Sequence, residues 1–181
     1  SWNNGAQLIK GYTAQEVMAW TPEVPEAVLG GYIYRGAITE LASKVKTGKT
    51  TLLLAACRAI TRGEGFLGHA TQRTRVLYLT EERPATFAAA MRRVGLDDGA
   101  DFQVLFRHGI GTLTWPELCE AVKAYALREN IGLVIIDTLS EWSGLAGDEE
   151  NQAGAALTAI RPLQAIAASG PALVVSRHER K

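Results

Sequence analysis

Along the chain, short runs of consecutive apolar residues alternate with longer segments in which apolar residues recur at helical spacing. That alternation predicts an α/β fold, a three-layer sandwich around a largely parallel sheet. The runs 37–42, 75–80, 102–106, 132–136 and 172–175 read as strands. The unbroken Leu133-Val134-Ile135-Ile136 stretch reads as a central strand covered on both faces. Helices are predicted over 13–20, where Thr13 and Glu16 have capping-box spacing, and over 48–62, stopped by Gly63. Further helices are predicted over 84–94 with Pro84 at its start, over 114–128 with a Thr114/Glu117 capping box, and over 149–168 with a kink at Pro162. Residues 23–35 read as an irregular approach segment containing Pro25 and a Gly30-Gly31 pair, and 64–74 as a loop. Residues 1–28 are thus assigned to an N-terminal helix and approach, and 29–181 to one core domain. No internal repeat or low-complexity tract interrupts the pattern.

Composition narrows the function classes. With 47% hydrophobic and 21% charged residues, the chain falls in the globular range, away from disordered and fibrous classes. Nineteen basic and nineteen acidic residues cancel, which excludes a strongly basic nucleic-acid-coating protein but not a local basic patch. No apolar run reaches the ~18 residues of a membrane span, and no secretory signal opens the chain. Cys57 and Cys119 fall inside amphipathic helices and read as small buried hydrophobes of a reducing compartment. A cytoplasmic protein is expected. The chain opens on Ser1 rather than Met and stops just after an apolar run, so a piece of a longer protein is expected.

Chemistry enters at Thr47-Gly48-Lys49-Thr50, between a predicted strand and a predicted helix. Gripping a polyphosphate requires inward-pointing backbone N–H groups, the positive end of a helix, a flexible ammonium and a hydroxyl for Mg²⁺. Ser43, Lys44, Val45, Lys46 and Thr47 would wrap the phosphates, with Gly48 and Thr51 completing the loop. Lys49 would reach the β- and γ-phosphates, and Thr50 would ligate Mg²⁺. The pattern G-x-x-x-x-G-K-[ST] places glycine where this chain has Ser43, so a reshaped loop or weaker nucleotide binding is expected there. A second glycine pattern, Gly63-Glu64-Gly65-Phe66-Leu67-Gly68, follows a helix instead of a strand and reads as a helix stop plus a turn.

Hydrolysis of a γ-phosphate also requires acids at the C-terminal ends of neighbouring strands. Asp137 ends the apolar run 133–136 and suits Mg²⁺; the plainer reading is a turn cap. Glu81 and Glu82 end the run 75–80, and adjacent carboxylates point in different directions, so only one is expected to face the site. His178, after the run 172–175, is either a γ-phosphate contact or a polar surface residue. His69 and His108 read as surface residues. The segment 138–148 reads as a loop leaving the sheet. Its Trp142 could stack on a base, although Glu141 and Asp148 would repel phosphates and no Lys or Arg is present.

Taken together these motifs resemble the RecA-like P-loop ATPases, nearest to plasmid-type RepA hexameric helicases and related phage or mobile-element ATPases. The resemblance spans roughly residues 29–181. It rests on Arg35–Ala42, Gly48-Lys49-Thr50-Thr51-Leu52, Phe66-Leu67-Gly68, Val76–Glu82, Val134–Leu139, Ile160–Leu163 and His178–Lys181. It implies Lys49 and Thr50 as the Walker A pair, Asp137 as Walker B, and Glu82 as the carboxylate polarising the attacking water, Glu81 falling one residue early. It implies a sensing role for His178 and a reach to a neighbouring subunit's nucleotide for Lys181. It further implies ATP and Mg²⁺ as ligands and a ring or filament of identical chains. Two functions follow as expectations: an ATP-driven motor or switch in DNA replication, recombination or mobile-element maintenance, with single-stranded DNA as partner, or a nucleotide-controlled assembly module with slow turnover. A phosphotransferase is the weaker third, since no Arg-rich lid is evident.

Overall fold

The structure is a computed structural model that describes residues 11–20, 25–44, 46–96, 99, 101–144 and 153–178. Its elements are α1 (Ala14–Ala19), β1 (Ala27–Leu29), β2 (Ile33–Tyr34), β3 (Ile38–Ser43), α2 (Lys49–Arg62), β4 (Arg75–Thr80), α3 (Pro84–Arg93) and β5 (Phe102–Phe106). They continue with α4 (Trp115–Arg128), β6 (Ile131–Asp137), α5 (Leu139–Ser143), α6 (Ala153–Ala168) and β7 (Ala172–His178). The start of the predicted helix at 149–152 lies outside the described residues, and Pro162 lies inside α6.

Five strands form one sheet in the order β3-β7-β6-β4-β5, every neighbour parallel. Side chains alternate across a strand, and this period places the core. On β4 and β6, Val76, Tyr78, Leu133 and Ile135 face α2 and α3, together with Leu54, Ile60 and Phe87. Leu77, Leu79, Val134 and Ile136 face α4 and α6, against Leu118, Val122, Leu163 and Ile166. Two covered faces explain the unbroken apolar runs, and each such side chain contributes roughly 1.5–3 kcal/mol by leaving water. Both cysteines are buried in these layers. Arg62 closes α2 before Gly63, and Phe66 and His69 pair across the following turn, as expected for a helix stop and turn.

Two expectations are corrected. The approach segment is ordered: β1 and β2 form an antiparallel hairpin, with Tyr32 N–H donating to the Leu29 carbonyl at 3.0 Å and Gly31 at φ +79° making the turn. The hairpin docks beside the 70–72 segment, through Gly30 N–H to the Ala70 carbonyl at 2.9 Å and Gln72 N–H to the Val28 carbonyl at 3.0 Å. Strand β7 also runs three residues past its apolar stretch, so His178 ends the strand and does not follow it. Parallel pairing with β3 (Leu41 to Ser176, Ala42 to Arg177, Ser43 to His178) carries it on, with Arg177 reaching Glu40 at 3.2 Å.

Candidate functional site

Register aligns the C-terminal strand ends. Ser43 pairs with His178, and Thr80 with Asp137, so β3, β7, β6 and β4 finish along one edge. Parity then selects a face. Tyr78, Ile135 and Val174 line the α2 side of the sheet, so Asp137 and Ser176, two residues beyond the latter pair, point to that side as well. The first turn of α2 lies there.

That turn begins at Gly48, whose φ of +88° only glycine adopts without strain. No side chain caps the helix and no acid lies in its first turn, so its leading N–H groups and positive end are left for a ligand. The loop is braced by its own hydroxyls: Thr47 Oγ1 donates to the Lys44 carbonyl at 2.8 Å and lies 2.5 Å from Ser43 Oγ. Lys49 is buried, 8% exposed, and its Nζ donates to Ser43 O and Oγ at 3.1 Å each and to Lys44 O at 3.3 Å. Nζ also lies 3.0 Å from His178 Nδ1. An ammonium only donates and carries three N–H groups, so these are shared among the four neighbouring acceptor atoms, Nδ1 included. Ser43, which stands at the pattern's first glycine position, closes β3 in extended backbone. Among the described residues of the loop, the left-handed positions are Gly48 and Lys46, the latter at φ +62°.

Asp137, 4% exposed, is the hub of the acidic side. Its Oδ2 accepts from Thr50 Oγ1 at 2.8 Å and from Tyr78 OH at 2.7 Å, and its Oδ1 accepts from Ser176 Oγ. One residue on, Thr138 N–H donates to Glu81 Oε2 at 2.9 Å. A cleft of about 390 Å³ gathers these groups: residues 46–51 on one side, then Glu81, Glu82, Asp137, Thr138 and His178. Both glutamates line it, Glu81 with its carboxylate tied to the Thr138 N–H.

The sequence profile of the AAA domain matches residues 8–181. The chain belongs to the AAA domain family. No curated protein matches it. Membership makes this a nucleotide-binding P-loop ATPase domain.

The residues of this AAA domain fit the ligands that membership implies. Carbonyl and hydroxyl oxygens hold Lys49 in the place where phosphate oxygens, acceptors of the same kind, can substitute for them. The Thr50 hydroxyl spends its proton on Asp137, which leaves its lone pairs for a hard cation such as Mg²⁺. Among the described residues no group of three or more His, Cys, Asp or Glu could hold a metal, so such a cation would depend on Thr50, Asp137 and the nucleotide's own oxygens. Among the same residues no helix is long and apolar enough to cross a membrane.

Both carboxyls beside the hub are harder to ionise than usual. Burial, with Asp137 and Glu141 nearby, pushes Glu81 up to about 7, against its hydrogen bonds. Glu82 is also raised, by burial and then by Asp137, with Arg93 opposing. For Glu81 the sign of the linkage is fixed. A carboxyl whose folded value exceeds its unfolded one binds more protons in the fold between the two, so stability is full at low pH and falls as pH rises through about 7. In the nucleotide-free protein, Glu81→Gln should therefore melt increasingly above wild type as pH rises from 5 to 8. A difference in melting temperature that stays flat across that range would refute it.

Three further placements matter. Trp142 does not stand on an open loop. It lies on α5, 3% exposed, with the Arg107 guanidinium 5.8 Å from its ring centroid, so the only aromatic of the segment is not offered to a base in this state. Residues 145–148 of that segment, Val45 of the loop and Lys181 lie outside the described residues. Tyr78 and Ser176 are the site residues that sequence reasoning missed. Each sits in an apolar strand, and an isolated hydroxyl at the parity of Asp137 was the available signal.

Proposed function

We propose that this domain is a Mg²⁺-dependent ATP hydrolase of the RecA-like group, nearest to plasmid-type RepA helicases and related mobile-element ATPases. It works as an assembly of identical chains on single-stranded DNA. The observation that supports this best is the convergence on one cleft of the Lys49 ammonium, the Thr50–Asp137 pair and two carboxyls at the end of β4.

In this reading Lys49 exchanges its loop acceptors for β- and γ-phosphate oxygens, and the α2 N-terminus binds the remaining charge. Thr50 and Asp137 would hold Mg²⁺, which would supply charge neutralisation to the polyphosphate. Glu82 accepts a proton from the attacking water as the new P–O bond forms at γ-phosphorus. The β–γ bridge bond breaks, and ADP leaves with that oxygen. His178, in contact with Lys49, senses whether the γ-phosphate is present and relays that along β7.

A second reading, a nucleotide-controlled assembly module with slow turnover, is favoured by the burial of Trp142, which removes the one nucleic-acid feature of the 138–144 segment. Steady-state hydrolysis with and without single-stranded DNA at increasing salt separates the two. A DNA-stimulated rate that salt abolishes supports the motor. ATP-dependent oligomerisation with no response to DNA supports the module. Absence of Mg²⁺-dependent hydrolysis under both conditions overturns the hydrolase reading.

A further inference from the structure

We infer that Tyr78 and Ser176 are positioning residues for the divalent cation, fixing Asp137 so that its full charge and one acceptor site remain for the metal shell. The inference rests on the hydrolase reading above. A carboxylate offers about four acceptor sites. Three are filled, by Thr50 and Tyr78 on Oδ2 and by Ser176 on Oδ1, which leaves the fourth on Oδ1. All three donors are neutral hydroxyls. Among the described residues no Lys, Arg or His pairs with Asp137, and the nearby Lys49 is held by Ser43 and His178 instead. The carboxylate is therefore oriented without being neutralised, which is what a cation requires of a buried ligand.

The two donors are rigid. Tyr78 is fully buried, its ring tilted against Phe87 at 5.1 Å and Phe102 at 6.0 Å between centroids, so the hydroxyl is delivered from the core. Ser176, also fully buried, is fixed by the pairing of β7 with β3. These partners sit behind Asp137 and away from the open cleft, which places them in the outer shell that sets ligand orientation.

A purely structural role, two core hydroxyls finding an acceptor, makes a different prediction. Binding of a fluorescent, non-hydrolysable ATP analogue is measured in EDTA and across a Mg²⁺ titration, for wild type, Tyr78→Phe and Ser176→Ala. The expected result is an unchanged affinity in EDTA and a Mg²⁺ midpoint raised about tenfold in each variant. Ser176→Thr, which restores the hydroxyl, should recover the midpoint. Unchanged midpoints in folded variants, or equal losses with and without Mg²⁺, overturn the inference. Should Tyr78→Phe not fold, Ser176→Ala decides alone. A wild-type chain that binds the analogue with no Mg²⁺ effect sinks the hydrolase reading itself, which separates that failure from this one.

Discussion

Lys49→Ala is expected to abolish nucleotide binding while leaving the domain folded. Alanine is the best helix former and α2 begins at this residue, so the helix itself is not at risk. The loss falls on the ligand. Lys49 is the cleft's buried cation, already surrounded by oxygen acceptors at 3.1–3.3 Å that phosphate oxygens would replace. Hydrogen bonds to a charged group contribute about 1.5–3 kcal/mol each. Two of them, one to each terminal phosphate, amount to about 3–6 kcal/mol, or roughly two to four orders of magnitude in affinity. Calorimetric titration with an ATP analogue and Mg²⁺ reads this directly, with a melting curve as the fold control. Retained micromolar affinity would mean that residues 44–50 are not the phosphate cradle. His178 supplies an internal comparison. His178→Ala removes a neighbour of the ammonium at 3.0 Å and not the ammonium itself, so it should disturb binding far less than the lysine change.

Whether a feature could be read from the sequence depended on how local its physics is. Strands β4 and β6 were legible to within a residue because both faces are buried, and burial writes itself as an unbroken apolar run. The phosphate loop was legible because its chemistry is compressed into adjacent residues between a strand and a helix. Asp137 was legible as the first polar group after such a run. The hairpin was not, since strands of three and two residues are too short to show alternation. The end of β7 was not, since Ser176, Arg177 and His178 are held by pairing with β3 and not by hydrophobicity. Helix α5 hid for a related reason: five residues carry barely one turn of periodicity, so Trp142 read as exposed when it fills the layer beside β6. Tyr78 and Ser176 lie 59 and 39 residues from Asp137, and only the strand order β7-β6-β4 makes them its neighbours. No pattern within one strand encodes that order. The shape of the loop around Ser43 was not legible, because a loop pattern fixes spacing but not which residues take the left-handed turns, and among the described loop residues Lys46 takes one as well as Gly48.

Glu82→Gln should preserve nucleotide binding and lower turnover by about two to four orders of magnitude, the usual loss when a positioned base is removed. The two carboxyls at the end of β4 share a cleft but not a situation. Glu81 is committed: its Oε2 holds the Thr138 N–H at 2.9 Å, tying the end of β4 to the turn after β6. Among the described residues no hydrogen bond holds the Glu82 carboxylate, which leaves it available to a water, and only its backbone N–H is engaged, by Thr80 Oγ1 at 3.1 Å. Burial and Asp137 raise Glu82 above the ordinary range, which strengthens it as a base and moves the acidic limb of the rate profile upward. That limb should disappear in Glu82→Gln. Glu81→Gln keeps an amide oxygen for Thr138 and should cost much less in the chemical step, its effect appearing instead as the pH-dependent gain in melting temperature. Single-turnover hydrolysis with saturating Mg²⁺ and ATP measures both variants on the same footing. If Glu81→Gln stops hydrolysis and Glu82→Gln does not, the committed carboxylate is the base after all. The Thr138 bond would then be what holds it in line with the attacking water, not a structural tie.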